Sequence, residues 1–226
     1  YELFFGSSVV LNNQEGVSAT FTLLTDFANI IREPIDGAPQ RANTFGLALS
    51  NNGKTAFVTD ASRNSIERVN VRNGRSRRIL SIDPVPNPLP FGPPLLEAVP
   101  TGIAHFNGDL LVALETGFPF PLGAAEIIRV ETETGENSTF IQGITQALDI
   151  LPIRENGDTD FIVVELSVDL LSGAPGRLLR FETPDAIPEV ISDSLNFPSS
   201  VAFDKDSGDF FVVESLFGNI VRISED

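Results

Sequence analysis

The chain contains no cysteine, no methionine and no tryptophan, and it carries a single tyrosine, Tyr1, and a single histidine, His105. Without cysteine there is no disulfide framework, no thiol nucleophile and no thiolate metal site. A lone histidine is a poor metal ligand, and no catalytic triad can be assembled around it from sequence. The scarce residues are the readily oxidised ones. Their joint depletion points to an oxidising or brightly lit setting outside the reducing cytosol. Translation starts with methionine, so its absence leads us to expect a processed, trimmed or fragmentary chain whose targeting segment has been removed. No apolar run reaches the ~20 residues that a membrane-spanning helix needs. Fifteen basic residues face 31 acidic ones, for a net charge of −16. That balance argues against nucleic acid, whose phosphates require clustered Lys and Arg. The one basic cluster, RNGRSRR from Arg72 to Arg78, reads as the solvated face of a strand.

What is present is a strand-forming sequence. Hydrophobic residues make up 42% of 226 positions, enough to bury a sizeable core. Helical periodicity is almost absent. Short Val/Ile/Leu/Phe runs alternate with turn clusters such as SNNGK, HFNGD, RENGD and DKDSGD. Four segments align, starting at Phe45, Pro100, Thr145 and Pro198. Each reads as a small-apolar strand, an Asn/Asp/Gly turn, a V-x-acid strand, a variable connector, and an apolar-Arg-apolar strand. A repeat at roughly 40–50 residues is the signature of a β-propeller blade.

The expected fold is therefore all-β: a single propeller domain over 1–226, built of four-stranded antiparallel blades. The repeats fall at approximately 1–43, 44–99, 100–143, 144–196 and 197–226. Five blades fit the length, or six if the chain is truncated. The final repeat stops after a third strand, and an N-terminal strand would close it. The second strands (FFVV, FIVV, LLVA) are apolar on both faces, as between adjacent blades. Arg68, Arg129, Arg180 and Arg222 recur at equivalent positions and read as a ladder pairing with nearby carboxylates.

The stretches PTGIA, LLVALETGFPFPLGAAEIIRV, ALDI, LLSGAPGRLLRF and FPSSVAF…FFVVE resemble the ScyD/ScyE family. These are secreted propeller proteins named for the cyanobacterial scytonemin sunscreen cluster. The upstream stretch DGAPQRANTFGLAL…FVTDASRNSIERVNV fits as well and looks like NHL repeats. The similarity covers roughly residues 30–226, with TGFPFPxGAA its most specific part. Two departures stand out: the chain is short at its N-terminus, and Phe replaces the Tyr usual in the strands. The resemblance implies a propeller, export to the periplasm, the extracellular space or a thylakoid lumen, and a role connected with pigment or another secondary metabolite. It supplies no catalytic mechanism.

Two candidate sites follow. The connectors ETGFPFPLGAA, LSVDLLSGAPG and SLFG leave the second strands on one face, where recognition usually resides. They would present Phe118, Phe120, Leu122, Leu170, Leu171 and Phe217 to a protein partner or a hydrophobic small molecule. The competing reading has Phe118 and Phe120 fold back over the blade or plug the channel. The second candidate is the set of acids Asp60, Glu165 and Glu214, with Glu115 one residue beyond their shared position. Brought around an axis, such acids suit Ca²⁺, which takes six to eight oxygens; otherwise no cofactor is required. Pairing of each acid with its own blade's Arg or turn N–H groups is the favoured reading. The functional expectation is an exported, non-catalytic binding or scaffold module, or an accessory subunit of an extracellular or lumenal assembly. The alternative is a metal-dependent hydrolase of lactonase type working through the axial acids.

Overall fold

The computed structural model describes residues 9–12, 18–28, 42–155 and 157–224, with side chains from residue 22 onward. Every regular element among them is a strand. β1 (Val9–Asn12) and β2 (Ser18–Phe21) form an antiparallel pair. Next come β3 (Thr44–Leu49), β4 (Thr55–Asp60), β5 (Ser65–Asn70) and β6 (Ser76–Ser81), a four-stranded sheet in sequence order. A small hairpin, β7 (Val85–Pro86) with β8 (Leu95–Leu96), precedes the second sheet. That sheet consists of β9 (Ala98–Phe106), β10 (Asp109–Thr116), β11 (Ala125–Val130) and β12 (Asn137–Ile144). The third contains β13 (Ala147–Glu155), β14 (Asp158–Glu165), β15 (Gly176–Phe181) and β16 (Glu189–Leu195). The fourth has three strands, β17 (Pro198–Asp204), β18 (Asp209–Glu214) and β19 (Asn219–Ile223).

These sheets are the blades of a β-propeller. Their first strands lie side by side, β3 against β9, β9 against β13 and β13 against β17, around a shared cavity of about 400 Å³. From residue 44 onward the four sheets span residues 44–81, 98–144, 147–195 and 198–223. The expected repeat at 1–43 lies largely outside the described residues, and β1–β2 is the described part of its sheet structure.

Packing follows from strands that are apolar on both faces. Leu110, Val112 and Leu114 join Phe57, Ile66 and Ile103 in the core between the first and second blades. The alternate residues of the same strand, Leu111 and Ala113, turn the other way. They meet Ile150, Val163 and Leu179 of the third blade. A third core, around Ile162, Val164, Phe210 and Val212, joins the third and fourth blades. A strand sandwiched in this way has no polar face to offer water, which is why LLVAL reads as a continuous apolar run.

The arginine ladder forms as expected. Register places Arg68, Arg129, Arg180 and Arg222 opposite Phe57, Leu111, Ile162 and Phe211, one shared position in each blade. Arg129 and Arg222 each pair at 2.5 Å with the Asp that opens the preceding strand, Asp109 and Asp209. Arg180 meets Glu189 at 3.0 Å, and Arg68 reaches Glu133 at 2.6 Å. Surface pairs of this kind contribute roughly 0–1 kcal/mol each, so the ladder is a mark of the repeat more than its glue.

The proline-rich stretch 84–94 folds back as the β7–β8 hairpin. Prolines have no N–H to donate, so Asn87 supplies the missing donors. Its Nδ2 donates to the carbonyls of Phe91 and Pro93, both at 2.8 Å, and its Oδ1 accepts from Leu89 N.

Candidate binding surface

The connector between β10 and β11 is held by main-chain bonds at both ends. Gly117 N donates to Glu97 O, Phe120 N to Gly117 O, and Ala124 N to Pro121 O. Gly123 N donates to Thr145 Oγ1 of the next blade. Pro119 and Pro121 are buried beneath this frame, so the neighbouring rings of Phe118 and Phe120 are directed by a fixed backbone. Phe120 has φ of 57°, a left-handed conformation uncommon for a bulky residue. Strained backbone of this kind persists only where surrounding structure enforces it, and it concentrates at functional positions.

The structure settles the direction of the two phenylalanines. Phe118 is 51% exposed, and its ring stands edge-on to Phe120 with centroids 6.0 Å apart. Phe91, from the tip of the β7–β8 hairpin, meets the other side of Phe118 at 6.4 Å and is itself 50% exposed. Gly92 beside it lies so near Pro119 that a Cβ there would stand 2.9 Å from the ring. Phe91, Phe118 and Phe120 thus form one aromatic platform on the end of the second blade, with exposed Leu95 and Leu122 in the same two connectors. The rings do not line the central cavity, whose walls come from β3, β9, β13 and β17.

Leu170, Leu171 and Phe217 occupy the corresponding connectors of the third and fourth blades, at the same end of their sheets. Leu171 and Phe217 are exposed and Leu170 is half-buried. No ring contact joins Phe217 to the platform among the described residues. Sequence reasoning missed Phe91 and Leu95. Nothing local links FGPP to FPF; their adjacency arises from the hairpin folding over the second blade.

The acids behave differently. Asp60 accepts Asn43 N at 3.0 Å and pairs with Arg63 at 3.2 Å. Glu165 accepts Thr145 N at 2.8 Å and pairs with Arg177 at 2.5 Å. Glu214 accepts Asn196 N at 2.6 Å and the side-chain amides of Asn196 and Asn219, both at 3.2 Å. All three are buried, and each closes the entry to its own blade's first strand. Donation from Asn196 N is the main reason the Glu214 carboxyl lies below its ordinary range. In the second blade the matching register position, opposite Pro100, belongs to Leu114, with Glu115 one residue beyond, and the longer strand ends at Thr116. Thr116 receives the amide of buried Gln146 at 2.9 Å. Glu115 is pushed up by burial. Among the described residues, no group of three or more His, Asp or Glu side chains converges as a metal would require.

A further carboxylate was not singled out from sequence. Asp149, on β13, reaches the adjoining fourth blade, where its Oδ2 accepts Ser200 Oγ at 2.9 Å and Val201 N at 3.1 Å. Its Oδ1 accepts Ile150 N at 2.9 Å. Burial raises its carboxyl above the ordinary aspartate value, and these three donors offset part of that rise.

The fold is shared with solved propeller structures. A chain of the nidogen/laminin complex superposes with a TM-score of 0.53 at 14% identity, covering 94% of this chain and 69% of that one. A structural-genomics protein of unknown function from Bacteroides thetaiotaomicron matches with a TM-score of 0.58 at 12% identity. That match covers 95% of this chain and 52% of the other, so this chain spans about half of its length. No family model and no curated protein matches the sequence. Likeness at this identity defines the class as a β-propeller and carries nothing about activity.

Proposed function

We propose that this propeller is an exported, non-catalytic binding module whose working surface is the aromatic platform of Phe91, Phe118 and Phe120. The observation that carries the reading is that half of Phe118 is exposed on a loop fixed at both ends. An apolar group held in water by a rigid frame is costly unless something covers it. A preordered platform also loses little entropy on binding. Ring edges and faces of this kind suit a planar apolar small molecule, or the apolar side chains of a partner in a larger extracellular or lumenal assembly. The resemblance of TGFPFPLGAA to the ScyD/ScyE family supports a part in pigment or secondary-metabolite handling.

The test is titration with Nile red, a planar neutral dye, on the unmodified chain and on Phe118→Ser. The reading expects saturable binding that Phe118→Ser weakens at least tenfold, with an unchanged melting midpoint. Unaltered dye binding would defeat it. So would a collapse of the midpoint, which would make Phe118 a core residue.

A further inference from the structure

Positive charge is concentrated in one blade. Between residues 44 and 81 the first blade carries seven of the chain's 15 basic residues and two of its 31 acids. That is a surplus of five positive charges on a chain of net charge −16. Both of those acids are buried and paired, Asp60 with Arg63 at 3.2 Å and Glu67 with Arg78 at 3.1 Å. What the blade shows to water is therefore cationic: Lys54, Arg72, Arg75 and Arg77 are all exposed. Among the described residues, Lys54, Arg72 and Arg75 pair with no carboxylate.

The backbone that carries these side chains is fixed. Val71 N donates to Lys54 O at 3.0 Å, which sets the turn before β4 beside the turn between β5 and β6. Asn70 O accepts Gly74 N at 2.8 Å, and Asn70 Oδ1 accepts Arg72 N at 3.0 Å and Asn73 N at 3.2 Å. Asn73 Oδ1 accepts Arg75 N at 3.0 Å, and Asn52 Oδ1 accepts Lys54 N at 2.9 Å. Thr25 Oγ1 holds the same turn from behind, donating to Gly74 O at 2.9 Å. Arg77 follows on the edge strand β6, opposite Arg68. This pair of arginines already grips one anion. Glu133, from the turn between β11 and β12, lies 2.6 Å from Arg68 and 3.5 Å from Arg77. Glu133 and Arg77 are both more than half exposed, so the bridge is weak and open to exchange for another anion.

We propose that this edge of the first blade is a docking site for an acidic polysaccharide, whose sulfate or carboxylate groups lie across Lys54, Arg72, Arg75 and Arg77. The site is at the opposite end of the sheets from the aromatic platform and does not depend on it. Charge complementarity selects an anion, and rigid turns lower the ordering cost of capturing it. Counterion release supplies affinity without the apolar centre that a protein interface needs. The one aromatic residue between positions 50 and 78, Phe57, is buried, so no ring is offered for a base to stack on. A nucleic acid duplex, charged every ~1.7 Å, would also overrun onto turns that carry exposed Glu131, Glu136, Asp158 and Asp206.

The test is calorimetric titration with dextran sulfate, with unsulfated dextran as the neutral control. Saturable binding of the sulfated polymer alone, weakening as salt rises, is expected. Arg72→Ser, Arg75→Ser should weaken it about tenfold or more. Arg154→Ser, Lys205→Ser removes the same charge from the third and fourth blades and should not. The pair Arg72→Lys, Arg75→Lys keeps the charge and is expected to retain the binding. All four positions are exposed, so melting midpoints should hold. Equal weakening by both serine pairs overturns the proposal, because net charge alone would then govern binding. Tighter binding of a single-stranded oligonucleotide than of dextran sulfate also overturns it, as does the absence of dextran sulfate binding at low salt.

Discussion

Ser200 Oγ donates to Asp149 Oδ2 at 2.9 Å, across the boundary between the third and fourth blades. With Val201 N on the same oxygen, this is a polar staple at the axis. A corresponding bond links the first and second blades, where Thr59 Oγ1 donates to Thr101 O at 2.6 Å. Thr101 Oγ1 in turn donates to Ala147 O of the third blade at 2.9 Å. The blades are thus stitched along their first strands by short hydroxyl and carboxyl side chains.

Removing the staple leaves Val201 N without its acceptor. Asp149→Ala is expected to destabilise the fold by about 1–3 kcal/mol, the usual cost of an orphaned buried donor. Asp149→Asn keeps one carbonyl acceptor and is expected to cost less. Because the folded carboxyl lies above 3.8, its protonated form is the one the fold prefers. The stability linked to it is full below that value and is lost as pH rises through the raised folded pKa. Urea titrations across pH 3–7 should show this slope in the parent chain and its absence in Asp149→Asn.

At Gly102, β9 passes close against β13. A Cβ there would stand 2.6 Å from Asp149 Cα and 2.7 Å from Leu148 O. Both are backbone atoms, so no side-chain rotation relieves the clash. Gly102→Ala is expected to cost about 3 kcal/mol, at the upper end for overpacking, measured as a shift in the denaturant midpoint.

Glu165 is wholly buried while its partner Arg177 remains about a third exposed. Glu165→Ala removes the acceptor of Thr145 N and leaves the guanidinium unpaired. Water reaches Arg177, so the expected loss is about 2 kcal/mol, below the range for a fully buried pair. Asp60→Ala should act in the same direction through Asn43 N and Arg63, read by the same titration.

Glu214 gives a pH signature of opposite sign. Its carboxyl lies below the ordinary 4.5, chiefly through Asn196 N, so its contribution is present above that value. It drains away as pH falls through the lowered folded value. Thermal melts at descending pH should lose midpoint more slowly in Glu214→Gln than in the parent, starting from a lower midpoint at pH 7.

Sequence by itself determined the repeat, the strands and the alternation that sends Leu110 and Leu111 into different cores. It also located the arginine ladder, because strand period and Asn-Gly turn chemistry are local properties written within a few residues. It named FPF as a distinctive loop and Asp60, Glu165 and Glu214 as equivalent. Tertiary structure decided which residues meet. Phe91 joins Phe118 only because the Asn87 hairpin folds over the second blade, and Asp149 finds Ser200, 51 positions away, only where two blades touch. In the second blade the acids' position belongs to Leu114, and the strand runs two residues further to Thr116, which receives the Gln146 amide from the next blade. Such contacts depend on how the sheets close around the axis, and no local pattern encodes that closure.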